Sequence, residues 1–452
     1  MNLKKVIIEN FRCFKSYEVS FAEKTTVIIG KNGTGKTSLI NSIKASMSFI
    51  FSKYKTQNEK LELLGNTPDL HLVNLSKTDA LFDNENKLYK YPISIQCIAS
   101  DGGSDLKWAI VKNTANGKLL DTRYRDAFLS FIKKYNQDLR RSPLPLFAYF
   151  SDSYPHKKIN VGSYAKSVLK SGNISRAFAY YQWDAEANCA EIWQNRYISQ
   201  YSKINDFKNT ESETLNERKE IKFIDDRVKL FTSILDPRYN FINQELCVTK
   251  IAIERPLKEA SSISIKLIFE DRRELFFEHL PQGYNRLISI VFDIAYRSYI
   301  LNGDNEPEGI ILIDEIELHL HPSLQQEVIQ RFRKTFPNIQ FIVSTHSPLI
   351  VSNLKAEDNL NKIIKLENDG FHYSNESVEN IYGIDYTTGL MDIMDAPYRS
   401  STIDNLIDSY VILKLRNKDN EAMKIWDEIF AIVGKDNKHI EKEINEKLEA
   451  NR

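Results

Sequence analysis

TVIIGKNGTGKTSLINSIK, residues 26–44, is the stretch on which the reading of the whole chain turns. Val27, Ile28 and Ile29 make a short apolar run that reads as a buried strand, and Leu39, Ile40, Ile43 and Met47 recur at helical spacing. Between them Gly30 to Ser38 spell G-x-x-x-x-G-K-T-S, so a glycine-rich loop joins a strand to a helix N-terminus. A backbone that curls at Gly30, Gly33 and Gly35 turns its N–H groups inward, and the positive helix end adds to the field they create. Gly30, Lys31, Asn32, Gly33, Thr34, Gly35, Lys36, Thr37 and Ser38 are therefore the expected cradle for a nucleoside triphosphate. Lys36 is expected to reach the β- and γ-phosphates, and the Thr37 hydroxyl to hold Mg²⁺. The plain alternative is a glycine-rich turn. Both flanking elements occur where the phosphate loop needs them, which favours the loop.

The matching half of the site lies almost three hundred residues on. GIILIDE, residues 309–315, is an apolar run ending in two acids, the pattern of a buried parallel strand that delivers carboxylates at its C-terminal edge. Asp314 is the expected Mg²⁺ ligand, and Glu315 the group that orients or deprotonates the attacking water. Pro322 opens a helix with Leu324, Val328 and Phe332 on one face, stopping near Pro337. Ile339 to Val343 read as another buried strand, followed by Ser344-Thr345-His346-Ser347-Pro348, where His346 is placed to sense the γ-phosphate. His319 and His321 have the H-x-H spacing of metal ligands, but no third ligand accompanies them.

Working outward, residues 3–21 suggest two strands joined near Arg12 to Lys15, and 92–98 with 106–112 a hairpin around Asp101-Gly102-Gly103. Residues 143–150 read as a central strand, 160–245 as mostly helical, and 246–255 and 262–278 as strands again. From about 386 the chain is helical, with Ile403, Leu406, Ile407, Tyr410, Val411 and Leu413 as an apolar stripe. The expected organisation is a first part of a nucleotide-binding core at 1–155, a helical insertion or lid at 156–245, the rest of the core at 246–385, and a helical C-terminal region at 386–452.

The 452 residues are 42% hydrophobic and 27% charged, enough apolar material for a large core. Formal net charge is zero, so overall charge selects neither nucleic acid nor an anionic membrane. Residues 107–170 are an exception, carrying thirteen lysines and arginines against four aspartates, interleaved with Trp108, Tyr124, Phe128, Phe131 and Tyr135. That segment is a candidate surface for a DNA backbone, or a solvated helical face balanced by neighbours in space. Cys13, Cys97, Cys189 and Cys247 are scattered and form no C-x-x-C pair, as reduced cytosolic thiols would be. No signal peptide or membrane span is legible, and the expected location is cytoplasmic with no membrane partner.

Together, the Walker A motif at Gly30 to Thr37, the Walker B motif at Ile310 to Glu315 and the switch His346 resemble the ATP-binding-cassette ATPases of the RecF/SMC/Rad50 branch. ENFRCF at 9–14, ELHLHP at 317–322 and STHSP at 344–348 are similar to that branch rather than to transporter cassettes. The resemblance implies an α/β P-loop NTPase fold: a mixed sheet with an antiparallel N-terminal subdomain, a helical insertion and a helical C-terminal tail. It implies ATP and Mg²⁺ as cofactors. It also implies a signature loop, L-S-G-G-Q/E, whose place is taken here by Leu280-Pro281-Gln282-Gly283-Tyr284 ahead of an apolar helix from Leu287 to Leu301. Gly283 matches the second glycine and would face the nucleotide of an opposite subunit, whereas Pro281 replaces the serine. No Q-loop glutamine is evident; Gln96 falls mid-strand, and the better topological place, Phe150 to Ser153, lacks one.

More narrowly, the chain length, the short insertion, the L-P-x-G-Y loop, and IYGID at 381–385 with its helical tail look like the ATPase subunit of Septu and related retron anti-phage systems. That likeness implies a homodimer or higher oligomer that controls an HNH-type nuclease subunit, with DNA or a reverse transcriptase and its msDNA as further partners. The hundred or so residues after His346 hold no acidic cluster of the Toprim kind, so no nuclease activity is expected of this chain itself. A RecF-like repair ATPase and a non-hydrolysing, nucleotide-gated scaffold are the competing readings.

Overall fold

The computed structural model describes residues 1–51, 73–117, 119–120, 131, 133–136, 143–152, 174–184, 190–206, 210–235, 247–254, 263–355, 359–370, 372–379, 381–396, 399–434 and 437–450. In chain order, strands β1 (Asn2–Phe11) and β2 (Phe14–Ser20) form a hairpin that turns at Arg12 and Cys13. Next come β3 (Thr25–Gly30) and helix α1 (Lys36–Met47). A small hairpin, β4 (Phe82–Asp83) and β5 (Leu88–Tyr89), precedes β6 (Ile93–Asp101), β7 (Ser104–Lys112) and the short β8 (Leu119–Leu120). Strand β9 (Leu146–Phe150) is followed by helices α2 (Ala190–Ile204) and α3 (Leu215–Thr232). Strands β10 (Val248–Glu254), β11 (Ser264–Phe269) and β12 (Glu274–Phe276) lead into the long helix α4 (Gln282–Asn302). Strand β13 (Gly309–Ile313), α5 (Pro322–Thr335), β14 (Ile339–Ser344), α6 (Pro348–Ser352), β15 (Asn361–Asn368) and β16 (Tyr373–Val378) complete the first part of the chain.

The central sheet has the order β16-β15-β3-β14-β13-β9. All its pairings are parallel except the edge pair β15–β16. Strands buried on both faces need continuous rather than alternating apolar sequence. Val27 to Ile29, Ile310 to Ile313 and Phe341 to Val343 meet that need and are all sealed from solvent. The mixed sheet is thus the one expected, and the antiparallel subdomain is the separate sheet β2-β1-β6-β7-β8. A third antiparallel sheet holds β10-β11-β12.

One buried side chain joins the first two sheets. Gln340, in the second position of β14, accepts the N–H of Leu3 (2.7 Å) and donates to the carbonyls of Leu3 (2.8 Å) and Ala22 (2.6 Å). It satisfies main-chain groups at the start of β1 and ahead of β3.

Helix α4 begins at Gln282, five residues earlier than its apolar sequence suggested, and is buried around almost its whole circumference. The residues read as an insertion pack along it. Trp193 of α2 stacks on Tyr296 with ring centroids 5.5 Å apart, Tyr197 meets Phe292, and Phe223 of α3 meets Tyr299. Of the cations in the basic segment, those from Lys118 to Arg125 and from Arg140 to Lys170 lie outside the described residues. Two that are described serve structure: Lys112 is buried and donates to the Leu75 carbonyl, and Lys134 pairs with Asp101 at 2.7 Å.

The chain divides into two compact units, Met1–Ile384 and Asp385–Arg452. In the second, helices α7 (Ser401–Leu415), α8 (Asp419–Val433) and α9 (Lys438–Ala450) enclose Ile403, Ile407, Tyr410, Val411, Ala422, Ile429, Phe430 and Ile444. Arg399 fastens them from outside, pairing with Asp404 of α7 and with both carboxylate oxygens of Glu443 on α9. No described helix is long and apolar enough to cross a membrane.

Replacing Gln340 with leucine keeps its bulk but strands buried main-chain groups of Leu3 and Ala22. Each such group costs about 1–3 kcal/mol. The variant should unfold at a clearly lower denaturant concentration, with a loss of roughly 3 kcal/mol; an unchanged midpoint would show that the clasp contributes nothing.

Candidate functional site

The loop between β3 and α1 has the conformation its glycines predict. Gly30, Gly33 and Gly35 take φ of 145°, 83° and 96°, values that side-chain-bearing residues rarely adopt. A Cβ on Gly30 would sit 2.5 Å from the Leu366 carbonyl oxygen, and one on Gly35 2.7 Å from the Phe14 ring. Thr34 closes the turn from inside, its hydroxyl donating to the Lys31 carbonyl at 2.8 Å. Gly35 caps α1 without a side-chain acceptor, which leaves the first amides of the helix directed at the loop. Lys36 is buried, and its Nζ donates to the carbonyls of Gly30 (2.7 Å) and Lys31 (3.0 Å). Lys31, Asn32, Gly33 and Thr37 are exposed, and Ser38 half-buried.

Because β3, β14 and β13 are parallel neighbours, the residues just past their ends gather at one edge. Asp314 is buried just beyond β13, its N–H held by the Phe150 carbonyl at 2.9 Å. The Ser344 hydroxyl donates to Asp314 Oδ1 and accepts the N–H of Glu315 at 2.9 Å. Glu315 itself has φ 50°, in the left-handed region. Two residues on, Glu317 Oε1 accepts the N–H of His346. The Ser347 hydroxyl donates to Gln325 Oε1 at 2.6 Å, and Gln325 Nε2 donates to the Leu320 carbonyl at 2.9 Å.

The electrostatics tie Lys36, Asp314, Glu315 and His346 into one cluster. Burial lowers the Lys36 ammonium pKa, and the carboxylates of Asp314, Glu315 and Glu317 oppose that fall. Burial raises Glu315 above its usual value of 4.5, reinforced by Glu317, Asp314 and Asp152. Burial and the charge of Lys36 hold His346 below 6.5, against the pull of Glu317 and Asp314. A raised carboxyl is a better proton acceptor, and a neutral imidazole keeps both a donor and an acceptor.

Gly283 is the second residue of α4, and a Cβ there would meet the His319 carbonyl oxygen at 2.4 Å. Its missing side chain lets the helix start lie against the loop after β13. Pro281 is the N-cap and makes no side-chain capping bond. Gln96 pairs mid-strand with Ile7 and Ala109. His321 caps α5, sharing a 2.8 Å hydrogen bond with Ser323, and among the described residues no group of His, Cys, Asp and Glu is arranged to hold a metal on its own.

Sequence reasoning missed Arg286, Ser344 and Glu317. Arg286 is fully buried in the first turns of α4 and donates to the carbonyls of Ser151 (3.2 Å), Asp152 (2.9 Å), Asp314 (2.9 Å) and Glu315 (3.1 Å). One guanidinium therefore grips the chain just after β9 and just after β13. Its position four residues before the buried Ile290 was the available signal, since i and i+4 share a helix face. Ser344 and Glu317 carried no such mark.

Arg286→Lys replaces a planar fork by a single ammonium that cannot span both segments. It should lower stability by about 3 kcal/mol, the scale of lost hydrogen bonds from a charged donor, read as an earlier thermal transition; an unmoved transition would refute the clamp. His346 should titrate below 6.5 by NMR, and Lys36→Met should move its midpoint upward. As the folded chain then binds fewer protons than the unfolded one, stability contributed by this group is present above pH 6.5 and lost as pH falls toward the lower folded value.

A family model described as the AAA ATPase domain matches residues 1–351. The chain is 27% identical over 397 residues to the retron Vc95 probable ATPase of Vibrio cholerae serotype O1 biovar El Tor, covering 79% of this chain and 72% of that one. It is 24% identical over 387 residues to the retron Ec83 probable ATPase of Escherichia coli, covering 79% and 71%. A shorter stretch of 121 residues is 35% identical to the Septu protein PtuA of Bacillus mycoides (strain KBAB4), covering 25% of this chain and 17% of that one. With a glycine-rich loop, paired acids and a histidine just past the ends of adjoining parallel strands, the chain belongs to the AAA ATPase domain family.

Proposed function

We propose that this ATPase works as the nucleotide-driven subunit of an anti-phage defence complex, hydrolysing ATP to control a partner nuclease of the HNH type. The observation that carries the hydrolytic reading is the gathering of Lys36, Asp314, Glu315 and His346 at the C-terminal edge of three neighbouring parallel strands. In this reading ATP lays its phosphates against the amides of residues 30–38, and Lys36 transfers its hydrogen bonds from the Gly30 and Lys31 carbonyls to the phosphate oxygens. Glu315 accepts a proton from the attacking water, and His346 faces the γ-phosphate from the neighbouring strand end. The exposed Thr37 hydroxyl and the buried Asp314 carboxylate are hard oxygen donors suited to Mg²⁺, which would offset phosphate charge when bound. Arg286 and Ser344 hold the Asp314–Glu315 backbone while this happens.

The role in defence is supported by the similarity to two retron ATPases along most of the chain and to PtuA over a shorter stretch. A second copy closing its 280–284 loop, with Gly283, over the bound nucleotide would turn hydrolysis into a change of assembly, since ATP then binds closed and open states with different affinity. DNA, or a reverse transcriptase with msDNA, would be the sensed partner. Pro281 favours one competing reading, a nucleotide-gated scaffold with little turnover, because a proline offers no hydroxyl to the opposite phosphate.

Glu315→Gln should keep ATP affinity while steady-state phosphate release falls about 100-fold or more, and Lys36→Ala should lose ATP binding. Equal, negligible release from wild type and Glu315→Gln would leave the scaffold. Purified with the products of its neighbouring genes, the chain should bring down an HNH-type nuclease; recovery of the chain alone would count against the defence complex.

A further inference from the structure

The chain from the last residue of β14 onward is tied at successive points to the segment after β13 and to α5. Ser344 bonds Asp314 and Glu315, and Ser347 bonds Gln325. Between them stands His346, whose N–H goes to Glu317 Oε1. The amide of Ser347 is satisfied locally by Thr345 Oγ1 at 3.0 Å, so the His346 amide is the one that reaches across to the loop after β13. The other Glu317 oxygen, Oε2, is shielded from solvent and takes no hydrogen bond among the described residues. Leaving a shielded carboxylate oxygen without a donor is costly, all the more with the Glu315 carboxylate close by. Among the described residues, the contact with His346 is the one hydrogen bond its side chain makes in return.

We propose that Glu317 is a positioning residue: by accepting the His346 N–H it fixes where the imidazole stands relative to Lys36, through that bond and not through its charge. Glu317 touches neither Lys36 nor the loop amides by any hydrogen bond among the described residues; its carboxylate also acts through space on Lys36 and Glu315, and the variants below separate that charge from the bond to His346. The role of His346 in turnover rests on the hydrolytic reading above; the backbone contact does not.

Two conservative variants separate bond from charge. Glu317→Gln keeps an acceptor oxygen at the same reach and removes the charge. Glu317→Asp keeps the charge but falls short by roughly 1.5 Å, one carbon–carbon bond. Hydrogen–deuterium exchange of the peptide spanning 343–349 should quicken about tenfold in Glu317→Asp, the scale of one hydrogen bond, and stay within about twofold of wild type in Glu317→Gln. In ATP turnover, Glu317→Asp should lower kcat about tenfold with KM changed less than about threefold, and Glu317→Gln should keep most of kcat. On a His346→Ala background, Glu317→Asp should cost less than about twofold, as coupled groups do. Unchanged exchange in Glu317→Asp, or a Glu317→Gln variant that loses more than Glu317→Asp, would overturn the assignment. So would an undiminished loss on the His346→Ala background. If the wild-type chain released no phosphate, the hydrolytic reading would fail, and the exchange measurement alone would still decide for or against Glu317.

Discussion

Parallel neighbours in a sheet finish at the same edge, and that constraint builds this site. Lys36 comes after β3, His346 after β14 and the Asp314–Glu315 pair after β13, with no other strand between them. Nearly three hundred residues of intervening chain matter less to their proximity than the register of Val343 on Val27 and of Ile313 on Val343. Strand β9 extends the same edge by one place, and through Arg286 it also reports to the site. The sheet therefore sets the spacing of these residues, while each of them stands beyond the end of its strand.

Charge is arranged around that edge by unlike means. Lys36 rests on main-chain carbonyls of its own loop, an arrangement that leaves its donors transferable. Arg286 is spread over carbonyls of two segments and is sealed in, an arrangement suited to holding still. The two cations are attracted by the same acidic residues, Asp314, Glu315 and Glu317. One cation is poised to exchange partners and the other is fixed, and the difference arises from how many acceptors each has and how deeply each is buried.

Much of this was open to a reader of the amino acids. The glycines of the loop, the run ending in Asp314 and Glu315, and the strand before His346 are local patterns, each fixed by steric or hydrophobic demands on a few adjacent residues. The contacts that organise them are not local. Gln340 reads as a polar interruption in a strand, and only the fold shows it satisfying Leu3 and Ala22. Arg286 reads as a polar residue at a helix start, and Glu317 as one acid among many, because their partners are carbonyls and amides that have no letter in a sequence. Gly283 was read as the counterpart of a signature-loop glycine facing an opposite subunit. Its contact with the His319 carbonyl of the same chain, which depends on how α4 meets the loop after β13, was not legible.

The backbone of Glu315 has an evolutionary implication. A glutamate at φ 50° is held in a region that costs about 1–2 kcal/mol for a residue with a Cβ. Asparagine tolerates that region better, so random replacement at this position would include sturdier proteins, which on the hydrolytic reading proposed above would be inert. Selection for heat resistance alone would drift toward them. On that reading, glutamate at this position serves what the molecule does, against the preference of its own main chain.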